Sequence, residues 1–319
     1  MSRLQSWEGF LLVCLIVIFG FNAVLTPEFL GIGNQINLFQ LSIEKIILAL
    51  VMTFIIINAE IDLSIGSMMG LSACSFGYLL QLGTAAPLAI LICLGIGIAG
   101  GFLNGWFVAR LGLPSLVVTL ATLIGFRGLA RVMVEDRGIG DFPDWFDALG
   151  QQGLIGPIPF ALVAFALLFA LLYVLLERSG FGRKTYVIGS NRDVADFAGI
   201  DTARHKIILF TMSGTAAAFA GLLYAARVGA VRGDVAAGFK LDVITIVLLG
   251  GVSIFGGKGT LVGTLLSILI VLNLRNGMAL LNITGHIQTG VIGLLLIASV
   301  VIPRLKLAKP RAIKPEATA

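Results

Sequence analysis

The chain has 319 residues, of which 58% are hydrophobic and 12% charged, with a mean hydropathy of +1.02 and a formal net charge of +5. That composition excludes an ordinary soluble domain and a disordered chain, and it describes an all-α polytopic membrane protein embedded in a lipid bilayer. The positive charge comes with no basic domain and no nucleic-acid motif, so it is read as a topology signal and no nucleic-acid partner is expected.

A spanning helix needs about 20 mostly apolar residues. Ten stretches qualify, near 10–26, 43–59, 65–82, 88–109, 113–131, 158–177, 206–227, 241–257, 260–278 and 287–302. Ten such helices leave no connection longer than about 30 residues, too little for a folded soluble domain. Residues 1–303 therefore read as one transmembrane domain and 304–319 as a basic tail. The first apolar run is kept as a helix, because no small-residue cleavage pattern follows it in Phe21-Asn22-Ala23-Val24-Leu25-Thr26-Pro27. Cys14, Cys74 and Cys93 all lie inside apolar runs and argue for neither a disulfide nor a metal site.

Short-loop Lys and Arg set the orientation. The connection 178–206 holds six of the 22 (Arg178, Arg183, Lys184, Arg192, Arg204, Lys206), and the tail holds five more (Arg304, Lys306, Lys309, Arg311, Lys314). Both regions are expected in the cytoplasm. Counting back through six spans places the N-terminus there too, and leaves 132–159 and 228–240 outside.

In chain order, residues 27–42 read as a polar external connection. The stretch Asn58-Ala59-Glu60-Ile61-Asp62-Leu63-Ser64-Ile65-Gly66 then interrupts two uncharged apolar runs, 46–57 and 67–82. It sets two carboxylates, Glu60 and Asp62, near bilayer depth, where an acidic side chain costs roughly 2.5–3.5 kcal/mol and usually faces protein or water. Irregular backbone at that depth has the same requirement, so the break points to a translocation path lined by Asn58, Glu60, Asp62, Ser64, Gly66 and Ser67. Glu60 either lines the path or a subunit interface, or is a paired or snorkelling carboxylate near the cytoplasmic end of the second helix. Gly66/Gly70, Gly97/Gly101, Gly101/Gly105 and Gly259/Gly263 are each four apart, a spacing that lets helix backbones approach closely. Arg127 and Arg131 are expected to snorkel to the surface. The loop 136–159, with Trp145, reads as a compact surface or docking loop without a catalytic constellation.

The cytoplasmic connection contains Ser190-Asn191-Arg192-Asp193-Val194-Ala195-Asp196-Phe197-Ala198-Gly199. Ser190 and Asp193 resemble an N-terminal capping pair and Gly199 a C-terminal cap, defining a helix of about two turns. Val194, Phe197 and Ala198 give it one apolar face beside Arg192, Asp193 and Asp196. A helix that short needs a surface to dock on, either another protein or the membrane and its own bundle. His205 reads as part of a solvated basic loop and His286 as a helix-start loop.

A second break runs from Gly250 to Thr260 and includes Ser253, Phe255, Gly256, Gly257 and Gly259. It mirrors the first, since in both a helix begins with Gly then Ser or Thr (Gly66-Ser67, Gly259-Thr260) and another Gly follows four residues on. Interrupted segments in matching positions point to an internal repeat and a transport site between its halves. The Gly-Gly-Lys-Gly-Thr run is no phosphate-binding loop, because Val252 stands five residues before Gly257 and Lys258 is followed by Gly259.

These stretches resemble the membrane subunits of ATP-driven importers of the ribose type, which carry monosaccharides and related solutes across the bacterial inner membrane. Ile61-Asp62-Leu63-Ser64-Ile65-Gly66-Ser67 is similar to the family's early signature. Gly250–Thr260 is similar to its late signature, and Ile188-Gly189-Ser190-Asn191 through Gly199-Ile200 to its cytoplasmic coupling segment. The resemblance implies a non-catalytic permease with N- and C-termini in the cytoplasm. It would be paired with itself or a homologue, with two ATPase subunits that bind ATP and Mg, and with an external solute-binding protein; no cofactor is held by this chain. Asn191, Arg192, Asp193, Val194, Phe197 and Gly199 would couple to the ATPase. Solutes in the family include ribose, rhamnose, other sugars and autoinducer-2, and in distant relatives branched-chain amino acids. One departure stands out: the family commonly has two glycines where this chain has Ala59-Glu60. A proton-coupled transporter using Glu60 or Asp62 is the rival from another class.

Overall fold

The computed structural model describes residues 2–307 except 136, 157 and 237. Its helices, in order, are α1 (Ser2–Leu25), α2 (Ile32–Gln40), α3 (Ile43–Ile57), α4 (Ile65–Gln81), α5 (Ala86–Arg110), α6 (Ser115–Val134) and α7 (Asp144–Gln151). There follow α8 (Phe160–Tyr173), extended by a π-helical turn Val174–Arg178, then α9 (Gly180–Ser190), α10 (Arg192–Phe197), α11 (Thr202–Val228), α12 (Phe239–Leu249), α13 (Leu261–Leu280) and α14 (Gly285–Leu307). Among the described residues, sheet is confined to two small antiparallel pairs: β1 (Ile139–Gly140) with β4 (Ala230–Val231), and β2 (Gly153–Ile155) with β3 (Ile158–Pro159).

All ten apolar stretches contain a helix, and the chain is an all-α polytopic membrane protein. Among the described residues, six helices are long and apolar enough to cross a bilayer by themselves, and α2 with α3, bent by 57° at their junction, makes a seventh candidate. Two of the remaining stretches are shorter than expected. α4 has 17 residues and α12 only 11, because the helix expected over 241–257 stops at Leu249 and the glycine-rich run after it is irregular. The connection 27–42 is not a plain loop, since it carries a 3-10 turn at Pro27–Leu30 and then α2. The loop 136–159 likewise folds into α7 and the β2–β3 hairpin. α14 runs past Pro303, and the tail from 308 lies outside the described residues.

α11 is the axis of the bundle, packed against α5, α4 and α3. Glycine makes the α5–α11 contact possible: a Cβ on Gly101 would lie 2.4 Å from the Phe210 carbonyl oxygen, and one on Gly214 would lie 2.2 Å from that of Gly97. These backbones touch directly, as the four-residue spacing on α5 predicts. The other glycine pairs serve different contacts. Gly66 and Gly70 face the carbonyls of Ala236 and Val235 in the non-helical run before α12, and Gly259 precedes α13 instead of lying on it. α3 is apolar on every side and is buried accordingly, with Ile46 through Ile57 all enclosed.

Two pairs of contacts fix the directions of the helices around α11. Arg227, near the end of α11, meets Glu44 at the start of α3, so those two helices are antiparallel. Ser213 meets Asp62 and the Ala218 carbonyl accepts from Ser72, so α4 runs parallel to α11. Residues 58–64 therefore turn the chain from one helix into an oppositely directed one. The bundle has two distinct ends. The β1–β4 pair joins the two loops expected outside at one end, and α9 and α10 lie with both breaks at the other.

Candidate functional site

The first break starts where α3 ends. Ala59 N–H donates to the Ile56 carbonyl and Glu60 N–H to that of Ile55, both at about 3 Å, a helix-closing pattern that puts Ala59 in the left-handed region at φ 61°. Glycine adopts that conformation freely and alanine does not. Glu60 has a partner that local sequence could not reveal. Its carboxylate pairs with Lys206 on the first turns of α11, with side-chain exposures of 12% and 9%.

Asp62 sits deeper, 2% exposed. Its Oδ1 accepts from Ser64 N–H (2.9 Å) and the Ser64 hydroxyl (2.6 Å), and its Oδ2 from the Ser213 hydroxyl (2.7 Å). Asn104 on α5 donates to the Ser64 hydroxyl at 2.9 Å, and Ser67 donates to the Ser64 carbonyl at 2.8 Å. Ile61 N–H donates to Ser115 and Thr119 donates to the Ile61 carbonyl, which ties the stretch to α6. Asn58, 1% exposed, donates to the Thr185 carbonyl. The bonds to Asp62, Ser64, Ser67 and Thr119 offset desolvation that left unmet would cost about 1–3 kcal/mol per group, whereas the buried amide oxygens of Asn58 and Asn104 have no hydrogen-bond partner. The break is a set of side-chain ties among α4, α5, α6, α9 and α11.

The second break is built from backbone. Gly251, Gly256, Gly257 and Gly259 have φ of 88°, 78°, 68° and 139°. Ser253 N–H donates to the Lys258 carbonyl, and Gly256 N–H donates back to the Ser253 carbonyl. Ile254 and Phe255 stand at its exposed edge, Phe255 70% exposed. Thr260 caps α13 by accepting from Gly263 N–H and donates to Glu8 on α1. The corresponding cap of α4 is Ser64, so the two breaks start their helices in registers that differ by three residues: Gly259 precedes its cap and Gly66 follows its own. The Gly-Ser/Gly-Thr alignment of the repeat is corrected by that offset.

α9 touches both breaks. Gly257 N–H donates to the Ile57 carbonyl at 2.8 Å, and Gly189 of α9 fills the notch beside them. A Cβ on Gly189 would lie 1.8 Å from the Ile57 oxygen, and one on Gly256 2.5 Å from the Gly189 oxygen. Tyr186 donates to the Gly259 carbonyl at 2.8 Å. Burial, with Glu177 nearby, pushes its phenol up from the ordinary value, so the hydroxyl keeps the proton it donates.

α10 projects from this junction. Its N-cap is Asn191, whose side chain accepts from Val194 N–H at 3.1 Å; Ser190, the expected cap, is the last residue of α9. Gly199 closes it at φ 74°, as expected. Arg192 and Asp196 pair along its outer side, Asp193 lies in its first turn, and Ala195 is the residue it buries. Val194 and Phe197 point away from the chain, with Phe197 93% exposed. His205 is not in a solvated loop: it lies on α11, 5% exposed, bonded to Thr185 and against Phe181.

Comparisons with known proteins place the chain among membrane permeases. The chain is 33% identical to the ribose import permease protein of Bacillus subtilis, covering 97% of this chain and 94% of the relative. It is 34% identical to the autoinducer 2 import system permease protein of Salmonella typhimurium and 33% identical to that of Yersinia enterocolitica, each alignment covering 94% of this chain and 92% of the relative. No solved structure matches the chain. The family model described as "Branched-chain amino acid transport system / permease component" matches residues 34–300, and the chain belongs to that family of membrane permeases.

Proposed function

We propose that the chain is the translocating subunit of an ATP-driven, binding-protein-dependent importer of a small polyhydroxylated solute, a monosaccharide or an autoinducer-2-like molecule, in the bacterial inner membrane. The relatives over nearly the full length handle ribose or autoinducer 2, which favours that class over the branched-chain amino acids of the family description. The N- and C-termini, α9 and α10 are taken to face the cytoplasm and the β1–β4 pair the outside. The ten helical stretches are taken as spans or half-spans, and the two hairpins that meet at the breaks as the two arms of a repeat. A second permease copy or homologue, two ATPase subunits and an external binding protein complete the assembly, and the ATPases hold the ATP and Mg.

The observation that carries this reading is α10. It is a six-residue helix, too short to stand without a docking surface, with Phe197 almost fully exposed and its base wedged through Gly189 between the two breaks. An ATPase that grips Phe197 therefore pulls on both. Asn58, Glu60, Asp62, Ser64, Gly66 and Ser67 act as the anchored side of the junction. Ser253, Phe255, Gly256, Gly257, Gly259 and Thr260 act as its moving side. A proton-carrying role for Glu60 or Asp62 fits poorly, since Glu60 is paired with Lys206 and Asp62 receives three hydrogen bonds.

Uptake into proteoliposomes tests the reading: it should require ATP and the partner proteins, and uptake driven by an ion gradient alone would sink it. Phe197→Ala should weaken ATPase binding by about thirtyfold, the equivalent of about 2 kcal/mol for a buried aromatic anchor, while the permease stays folded. A Phe197→Ala permease that co-purifies with its ATPase and imports at the full rate would show that α10 is not the coupling element.

A further inference from the structure

Away from both breaks, three helices bring charged side chains to one carboxylate. Asp242, in the first turn of α12, accepts from Lys45 Nζ of α3 through Oδ2 (2.8 Å) and from Arg275 Nη2 of α13 through Oδ1 (2.9 Å). Lys45 Nζ also stands 4.6 Å over the ring of Phe239. Lys45 is the third residue of α3, and Arg275 lies five residues before the end of α13, roughly 8 Å inside it at 1.5 Å per residue.

Two features separate this triad from a sealed structural ion pair. Its side chains keep 22%, 23% and 27% of their surface open. It has two cations for one anion. The exposed surfaces of α5 and α6 are by contrast apolar, with Leu88, Leu91, Phe102, Val117, Leu120 and Ile124 facing outward as lipid contact requires. A partly open charge cluster within helices of this kind cannot face hydrocarbon without a cost of several kcal/mol per charge, so its open edge turns to water or to protein.

We propose that Lys45, Asp242 and Arg275, with the Phe239 ring beside them, form a solute-contact station in the outer half of the path, which reads the hydroxyl groups of a polyhydroxylated solute. The inference rests on the sugar-import reading above. A carboxylate between two cationic donors offers an acceptor and a donor side by side, the pairing that neighbouring hydroxyls need, and the aromatic ring offers a face for the C–H side of such a solute. Solute hydroxyls accept from Lys45 and Arg275 while donating to Asp242, so the spare donor capacity of the two cations is used when solute arrives.

The test is import by the complete importer in proteoliposomes, with D-ribose and 2-deoxy-D-ribose as paired probes and the same binding protein throughout. Because the binding protein is constant, any change in the ratio of the two import rates between native and variant permease reports on the permease. Asp242→Asn and Arg275→Lys should each shift that ratio toward the deoxy sugar by roughly threefold to tenfold, the worth of one hydrogen bond, with ATPase stimulation by the loaded binding protein retained. Arg275→Lys keeps the charge and carries the test if Asp242→Asn fails to assemble. An unchanged ratio in an assembled, transporting variant overturns the station and leaves the sugar reading intact. A native importer that moves neither these two sugars nor any other polyhydroxylated solute overturns the sugar reading, and the station falls with it.

Discussion

The two breaks do the same topological job, turning a helix back at the same end of the bundle, by opposite physical means. The first is held by side chains: Glu60 on Lys206, Asp62 on Ser64 and Ser213, Ile61 between Ser115 and Thr119. The second has four glycines at positive φ, a backbone bond to Ile57 and an exposed Phe255. Side-chain ties to α4, α5, α6 and α11 resist displacement of the first break as a unit. Glycine backbone can change its dihedrals at little steric cost, so the second is the part able to yield. The lesson is that one break anchors and the other hinges, with Gly189 between them.

The contrast can be broken at several points, beginning with the largest effect. Gly189→Ala forces a Cβ into the Ile57 carbonyl, where backbone lies on both sides and cannot give way. A loss of at least about 3 kcal/mol is expected, read as loss of assembled importer and a lowered unfolding midpoint in detergent; normal assembly would mean that the junction is looser than the structure has it. Asp62→Ala should come next, at about 2–3 kcal/mol, because Ser213 and Ser64 lose a buried acceptor. If unfolding measurements find less than 1 kcal/mol, the first break is not the anchored one.

Glu60→Gln sharpens the comparison. It keeps a hydrogen-bond acceptor for Lys206 and removes the charge, so the cost should be about 1–2 kcal/mol, with assembly retained and transport kinetics altered. Kinetics identical to the native importer would reduce Glu60 to a structural partner of Lys206. The smallest effect should be a gain: Ala59→Gly relieves a left-handed alanine worth up to about 1 kcal/mol, visible as a raised unfolding midpoint. A lowered midpoint would show that the Ala59 methyl contributes more through its contact with Gly256 than its backbone strain costs.

The sequence by itself determined the class of the molecule, because runs of about 20 apolar residues have no other stable home than a bilayer. It also determined where α10 stops, at Gly199, because positive φ is a local property of the residue that adopts it. The close packing of Gly97, Gly101 and Gly105 was legible for a similar reason, since spacing along one helix face is local. The tertiary structure alone decided which polar groups meet. Glu60 and Lys206 are 146 residues apart, Asp62 and Ser213 151, and Lys45 and Asp242 197. Those pairings exist because α3 and α4 pack on α11 while α12 and α13 pack on α3 and on each other. No periodicity in one segment encodes the partner on another, so a lone intramembrane carboxylate can be recognised in a sequence while the group that neutralises it cannot.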